Sequence, residues 1–182
     1  VLLDVVYNHW GPSDLDLWQY DGWSENGNGG IFFYNDPVRA ETPWGPRPDF
    51  GRGEVRSYIR DNALLWLQEF RVDGLRIDAT KYMRSVPEAG TDLPEGWSLM
   101  QWINESIEAT QPWKITIAED WGGLDSISQS TSVNGAGFES QWDGVFVHPI
   151  RSLATTVNDA DRSMFDLRES VLHSFNGQAT QR

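Results

Sequence analysis

The sequence predicts an α/β fold built on a parallel sheet, and two observations carry that prediction. Three short apolar runs each end in polar or ionisable residues: Asp4-Val-Val-Tyr-Asn-His9, Gly74-Leu-Arg-Ile-Asp78-Ala and Ile115-Thr-Ile-Ala-Glu119-Asp120. Segments with helical periodicity separate the second and third runs from what precedes them. A strand buried on both faces reads as a continuous apolar run, and its charged group sits where the chain emerges. Repeated strand-end carboxylates between helices fit part of a (β/α)8, or TIM, barrel with a site on the C-terminal rim of its strands.

Each element follows in order. Val1 to Tyr7 reads as a buried strand. Residues 10–53 form a long connection rich in Gly, Pro, Asn, Asp and Trp, without helical period. Connections of that length are usually functional, and this one reads as an insertion loop or small subdomain. Ile31-Phe-Phe-Tyr34 reads as a short strand inside it. Glu54 to Phe70 is a predicted helix, with Val55, Ile59, Ala63, Trp66 and Phe70 at helical spacing and Glu54 in the first turn. Asp73-Gly74 turns the chain into the second strand. Ser98 and Gln101 read as a capping box that opens a helix carrying Leu99, Ile103 and Ile107, with Pro112 beyond its end. Lys114 to Ala118 is the next strand. A Gly- and Ser-rich loop then leads to a predicted fourth strand at Gly144 to Val147. Pro149 suits the first position of a helix carrying Ile150, Leu153, Ala154 and Val157. Ser163 is positioned to cap a last helix through Phe175.

Composition narrows the function. The 182 residues hold 14 basic and 27 acidic side chains, a net charge of -13. Phosphate binding needs clustered Lys and Arg, so a nucleic-acid partner is disfavoured. No apolar run approaches the roughly 18 residues of a membrane span. No cysteine is present, which leaves no disulfide framework and no thiolate metal site. A full (β/α)8 barrel takes about 250 residues, so the chain reads as a partial catalytic domain over residues 1–182. Ten tryptophans are present. Trp66 and Trp102 lie on helix patterns and read as core, whereas Trp10, Trp18, Trp23, Trp44 and Trp121 fall in loops beside the expected rim, where amphipathic rings suit a sugar.

The strand-end carboxylates suggest the chemistry. A retaining glycosidase needs a carboxylate nucleophile and a second carboxyl group that serves as acid and then base, about 5–5.5 Å apart. Neighbouring strands lie about 5 Å apart, so consecutive strand ends supply such a pair. Asp78 is the candidate nucleophile and Glu119 the candidate acid/base. Arg76, two residues before Asp78, points to the same face, where a cation suits an anionic nucleophile. Asp120 falls on the opposite face and reads as structural. Asp14-Leu-Asp16 is similar to the start of a calcium-binding loop, but Trp18 and Gln19 stand where that loop needs an oxygen ligand and Gly.

In order and content, the three strings resemble the first three signature regions of the α-amylase superfamily, glycoside hydrolase family thirteen. Thr42-Pro-Trp-Gly45 and Pro48-Asp-Phe-Gly51 most resemble bacterial glucan branching enzymes and malto-oligosyltrehalose trehalohydrolases. The resemblance implies that the chain covers about the third to sixth barrel strands, with residues 10–53 as a compact lid-like subdomain. It implies sugar contacts for His9, Tyr7, Lys81 and Trp121, and supporting roles for Asp4 and Asn8. Tyr82 stands where amylases usually carry His. Asn8 matches a calcium position of many α-amylases, although no further ligand can be named and no organic cofactor is implied. The superfamily's third acid, an Asp preceded by His, has no counterpart, because no His-Asp pair occurs in the chain. The expected substrate is an α-1,4-glucan or malto-oligosaccharide. Hydrolysis, branching transfer, and sugar binding without catalysis are the three functions compatible with these residues.

Overall fold

Four parallel strands run side by side in chain order: β1 (Leu2–Val5), β2 (Gly74–Ile77), β3 (Ile115–Ala118) and β4 (Ser140–Gln141). The structure, a computed structural model, describes residues 1–11, 22–25 and 28–177. Chain-order adjacency with every neighbour parallel is how a barrel wall winds; a doubly wound sheet reverses its order. The register sets Asp4 opposite Arg76, Val5 opposite Ile77, and Ile77 opposite Ala118.

Two long helices pack on this wall. Helix α1 (Gly53–Gln68) buries Val55, Ile59, Ala63 and Leu67. That is a strict four-residue stripe, so Leu67 takes the place expected of Trp66, and Phe70 lies past the helix end, 62% exposed. Trp66 and Trp102 sit at the margin of the core, and Trp102 carries the Arg60 guanidinium 4.4 Å from its ring. Helix α2 (Thr80–Arg84) follows β2 directly. Helix α3 (Pro94–Thr110) buries Leu99, Met100, Ile103 and Ile107. Together with Val5, Leu75, Ile77 and Ala118 of the strands, these side chains make one core. Gly96 in the first turn of α3 lies so close to the Met83 carbonyl that a Cβ would overlap it.

Three expectations are corrected. Helix α3 begins at Pro94, four residues before the expected cap, because Pro suits the first helical position. Ser98 is inside the helix, and its hydroxyl donates to the Glu95 carbonyl at 3.1 Å. The fourth strand lies at Ser140–Gln141, and Gly144 to Val147 opens helix α4 (Gly144–Thr155). The Asp143 carboxylate accepts from the backbone N–H groups of Val145 and Phe146 at 2.8 and 3.2 Å. That cap outweighs the β propensity of the Val-Phe-Val run, and it leaves Pro149 inside the helix. Ile31 to Tyr34 forms no strand; Phe33 makes a single bridge to Pro48. Ser163 caps α5 (Met164–Leu172) as expected, accepting from Asp166 N.

Within 10–53, the described residues include a tight hairpin of Glu41–Thr42 with Gly45–Pro46. Phe33, Tyr34, Ala40, Arg47 and Phe50 are buried there. Asp14, Asp16, Trp18 and Gln19 lie outside the described residues. No helix among the described residues is long and apolar enough to cross a membrane.

Candidate active site

The ladder continues past the strand ends and sets the site. Asp78 N donates to the Val5 carbonyl at 2.9 Å, and Glu119 N donates to the Ile77 carbonyl at 3.0 Å. Asp78 and Glu119 therefore leave the sheet side by side on one rim. Arg76, one pleat behind Asp78 on the same face, reaches both. Its Nη1 donates to Asp78 Oδ1 at 2.7 Å and to Asp4 Oδ1 at 2.6 Å, and its Nη2 lies 2.8 Å from Glu119 Oε1. Burial alone would lower the Arg76 pKa. The bond to Asp4, the charge of Glu119 and the bond to Asp78 outweigh it, so the net shift is upward. The indole of Trp142 lies 4.2 Å from the same guanidinium, within cation–π range.

Each carboxylate has further partners. The fully buried Asn8 amide donates to Asp78 Oδ2 at 2.9 Å and to the Asp78 carbonyl at 3.1 Å. Asn8 Oδ1 accepts from His9 Nδ1 at 2.8 Å. Burial lowers the His9 pKa, with the Asp78 charge opposing it in part. Glu119 Oε2 accepts from Ala79 N at 2.9 Å, and Oε1 accepts from Trp121 Nε1 at 3.0 Å. Ala79 adopts φ 43° and ψ 50°, a left-handed conformation that costs a residue with a Cβ roughly 1–2 kcal/mol. This strained residue aims its N–H at Glu119, and such strain concentrates at functional sites.

Asp120, one residue on, faces the other way. It is fully buried and takes two bonds from Arg84, 2.7 Å from Nε and 3.0 Å from Nη2. Gly122 N adds a third at 2.9 Å.

The structure thus brings together Asp4, Asn8, His9, Arg76, Asp78, Glu119 and Trp121. Tyr7 is a correction: it is buried, its hydroxyl donates to Asn62 Oδ1 at 2.9 Å, and desolvation raises its pKa. It has no face left for a sugar, because β1 turns it inward onto α1. Lys81 is half-buried on α2 and, among the described residues, pairs with neither carboxylate. Asn8 spends its amide on Asp78 and His9, and no group of three His, Cys, Asp or Glu among the described residues could hold a metal ion. Sequence reasoning missed Trp142 and the Ala79 N–H. Trp142 was legible only once the fourth strand was placed immediately before it, and a backbone donor has no signature in sequence.

Trp142 also helps to line a cavity of about 490 Å³ with Trp121, Phe146, Val147 and His173. At its end His173 Nδ1 pairs with Asp143 at 2.5 Å.

No known family profile matches the chain. Over 162 residues, 81% of the chain, it is 33% identical to 1,4-alpha-glucan branching enzyme GlgB 2 of Streptomyces avermitilis. It shows the same identity over the same share to the branching enzyme GlgB of Mycobacterium bovis. The chain belongs to the α-amylase superfamily. It spans 26% and 21% of the length of those two relatives. Among solved structures, a Salmonella typhimurium protein described as an alpha amylase aligns with all of this superfamily chain. The TM-score is 0.64 at 22% identity, over 31% of that protein. The maltogenic alpha-amylase AmyB of Thermotoga neapolitana aligns with 93% of the chain and 33% of its own, with TM-score 0.60 at 19% identity. These two likenesses establish the fold: part of an amylase-type barrel.

Proposed function

We propose that the chain carries the nucleophile and the acid/base of a retaining enzyme acting on α-1,4-glucans. The observation that supports this most is one guanidinium, Arg76, shared by Asp78 and Glu119 on adjacent strand ends. In this mechanism an Asp78 oxygen attacks the anomeric carbon, and the bond from that carbon to the leaving oxygen breaks. Glu119 gives its proton to the leaving oxygen. Glu119 then takes a proton from water or a sugar hydroxyl, whose oxygen attacks the same carbon and releases Asp78 with net retention. Asn8 and Arg76 hold Asp78 from two sides, and Ala79 N and Trp121 hold Glu119. In this reading residues 10–53 serve as a lid-like subdomain.

A second reading keeps the chemistry and changes the acceptor. The relatives reported above are named as branching enzymes, which favours transfer to a glucan hydroxyl over transfer to water. The deciding experiment incubates the full-length protein with a linear α-1,4-glucan and follows reducing ends together with the α-1,6 anomeric proton signal. Rising reducing ends alone mean hydrolysis. New α-1,6 signal with few new reducing ends means branching. Neither change, with a folded protein, would sink both readings.

A further inference from the structure

Trp44 is a large apolar ring left half in solvent, yet the structure holds it firmly. Its exposure is 50%. Single exposed aromatics are ordinary, so the argument rests on what fixes this one. Thr42 Oγ1 accepts from Trp44 N at 3.2 Å and donates to the Gly45 carbonyl at 2.8 Å, closing a tight turn around it. Gly45 has φ +149°, and a Cβ there would overlap the Gly11 carbonyl. Trp10 N donates to the Pro46 carbonyl at 3.1 Å, so the turn is tied directly to the chain that leaves β1.

A second, costlier device fixes the other side. Arg47 is fully buried. Its Nε donates to the Tyr82 carbonyl at 3.1 Å and its Nη1 donates to the Arg39 carbonyl. No carboxylate pairs with it among the described residues, and its Nη2 is buried without a partner. A buried guanidinium satisfied only by carbonyls is destabilising in itself. Here it fastens the Trp44 loop to α2, the helix that follows Asp78. Tyr82 on that helix meets Trp44 edge-on, with centroids 5.0 Å apart at 75°. Its hydroxyl is locked to Glu88 Oε1 at 2.6 Å. On the opposite side His9 lies 5.8 Å from Trp44 at 32°, and His9 is linked through Asn8 to Asp78.

From this geometry we infer that Trp44 and Tyr82 form a rigid aromatic corner that stacks the glucose unit next to the one being cleaved. The inference rests on the α-glucan reading and makes the Trp44–Tyr82 pair a determinant of chain-length preference. The C–H face of a pyranose is apolar and its rim is polar. A fixed indole half in solvent matches that ligand, and no ordering of the ring is needed on binding.

The test separates binding from turnover. Full-length protein carrying Asp78→Asn is titrated with maltoheptaose by calorimetry, alone and with Trp44→Ala, Trp44→Leu or Trp44→Phe added. Trp44→Leu keeps the bulk that the loop packs against and removes the flat face. We expect Trp44→Ala and Trp44→Leu to weaken binding about tenfold, the worth of one aromatic contact, and Trp44→Phe to bind within about threefold of the parent. Equal affinity for all four proteins would overturn the corner while leaving the glucan reading intact. Leu binding as well as Phe would also overturn it, by showing that bulk alone matters. No maltoheptaose binding by the folded Asp78→Asn parent would sink the glucan reading, and the corner with it.

Discussion

Glu119 and Asp120 are neighbours in sequence, both are bonded to an arginine, and their surroundings assign them opposite work. Asp120 is fully buried and has Arg84 to itself, in a two-pronged contact. Charge is matched one to one. Glu119 shares Arg76 with Asp78 and Asp4, three carboxylates on one cation. Its side chain is 15% exposed and that of Asp78 is 24% exposed. In the proposed mechanism Asp78 supplies the charge that attacks the anomeric carbon and Glu119 the proton for the leaving oxygen, and both need to be reachable from solvent. A carboxylate with no exposed surface, matched to its own cation, suits bracing a loop. The alternating faces of an extended chain produce this division across one peptide bond.

The comparison breaks most sharply at the two proposed catalytic groups. Asp78→Asn and Glu119→Gln should each lower kcat by about a thousandfold or more. Neither should shift the unfolding midpoint by more than a few degrees, because isosteric amides keep most of the partners. A variant that retains near-native turnover would remove that residue from the mechanism.

On the other side of the peptide bond, the expected loss is in stability. Arg84→Ala strands the buried Asp120 charge, which should cost about 3–5 kcal/mol of folding free energy. Urea unfolding measures it, and a loss below about 1 kcal/mol would place Asp120 among surface ion pairs. Asn8→Ala lies between the two behaviours. It removes a hydrogen bond to a charged group, worth about 1.5–3 kcal/mol. Part of that loss should fall on kcat through a loosened Asp78, so kinetics and unfolding must be measured on the same preparation. A loss in stability with kcat unchanged would make Asn8 a purely structural brace.

The smallest effect concerns pH. Burial lowers the folded-state pKa of His9 below its unfolded value. As pH falls through about 6.5, the unfolded chain takes up the proton first. Stability carried by neutral His9 is thus present above that pH and lost below it. His9→Gln should flatten the fall in urea midpoint between pH 7.5 and 5.5. An unchanged slope would assign that fall to other groups.

Much of the site was legible because its signals are local. Arg76 and Asp78 sit two apart on one strand, and Glu119 ends the next apolar run, so face and rim follow from period and pattern alone. The supporting roles of Asp4 and Asn8 came from the resemblance of the first string to the superfamily's first signature region, not from period. The errors were of two kinds. Val145 to Val147 has the composition of a strand, and one side-chain cap from Asp143 turned it into a helix. Tyr7 was placed at the sugar because it neighbours Asn8 and His9, whereas the pleat of β1 points it into the core against Asn62.

What the chain order could not convey is which distant groups meet. Arg84 finds Asp120 across 36 positions, and Ala79 N finds Glu119 across 40. Trp44, Tyr82 and His9 converge from three separate segments. The strand ends and their carboxylates were set by local alternation of apolar and charged residues, which every stretch of sequence carries within itself. The partners were set by parallel register and helix packing, which depend on the whole core closing at once, and the left-handed turn of Ala79 that aims its N–H at Glu119 is visible only in that closed arrangement.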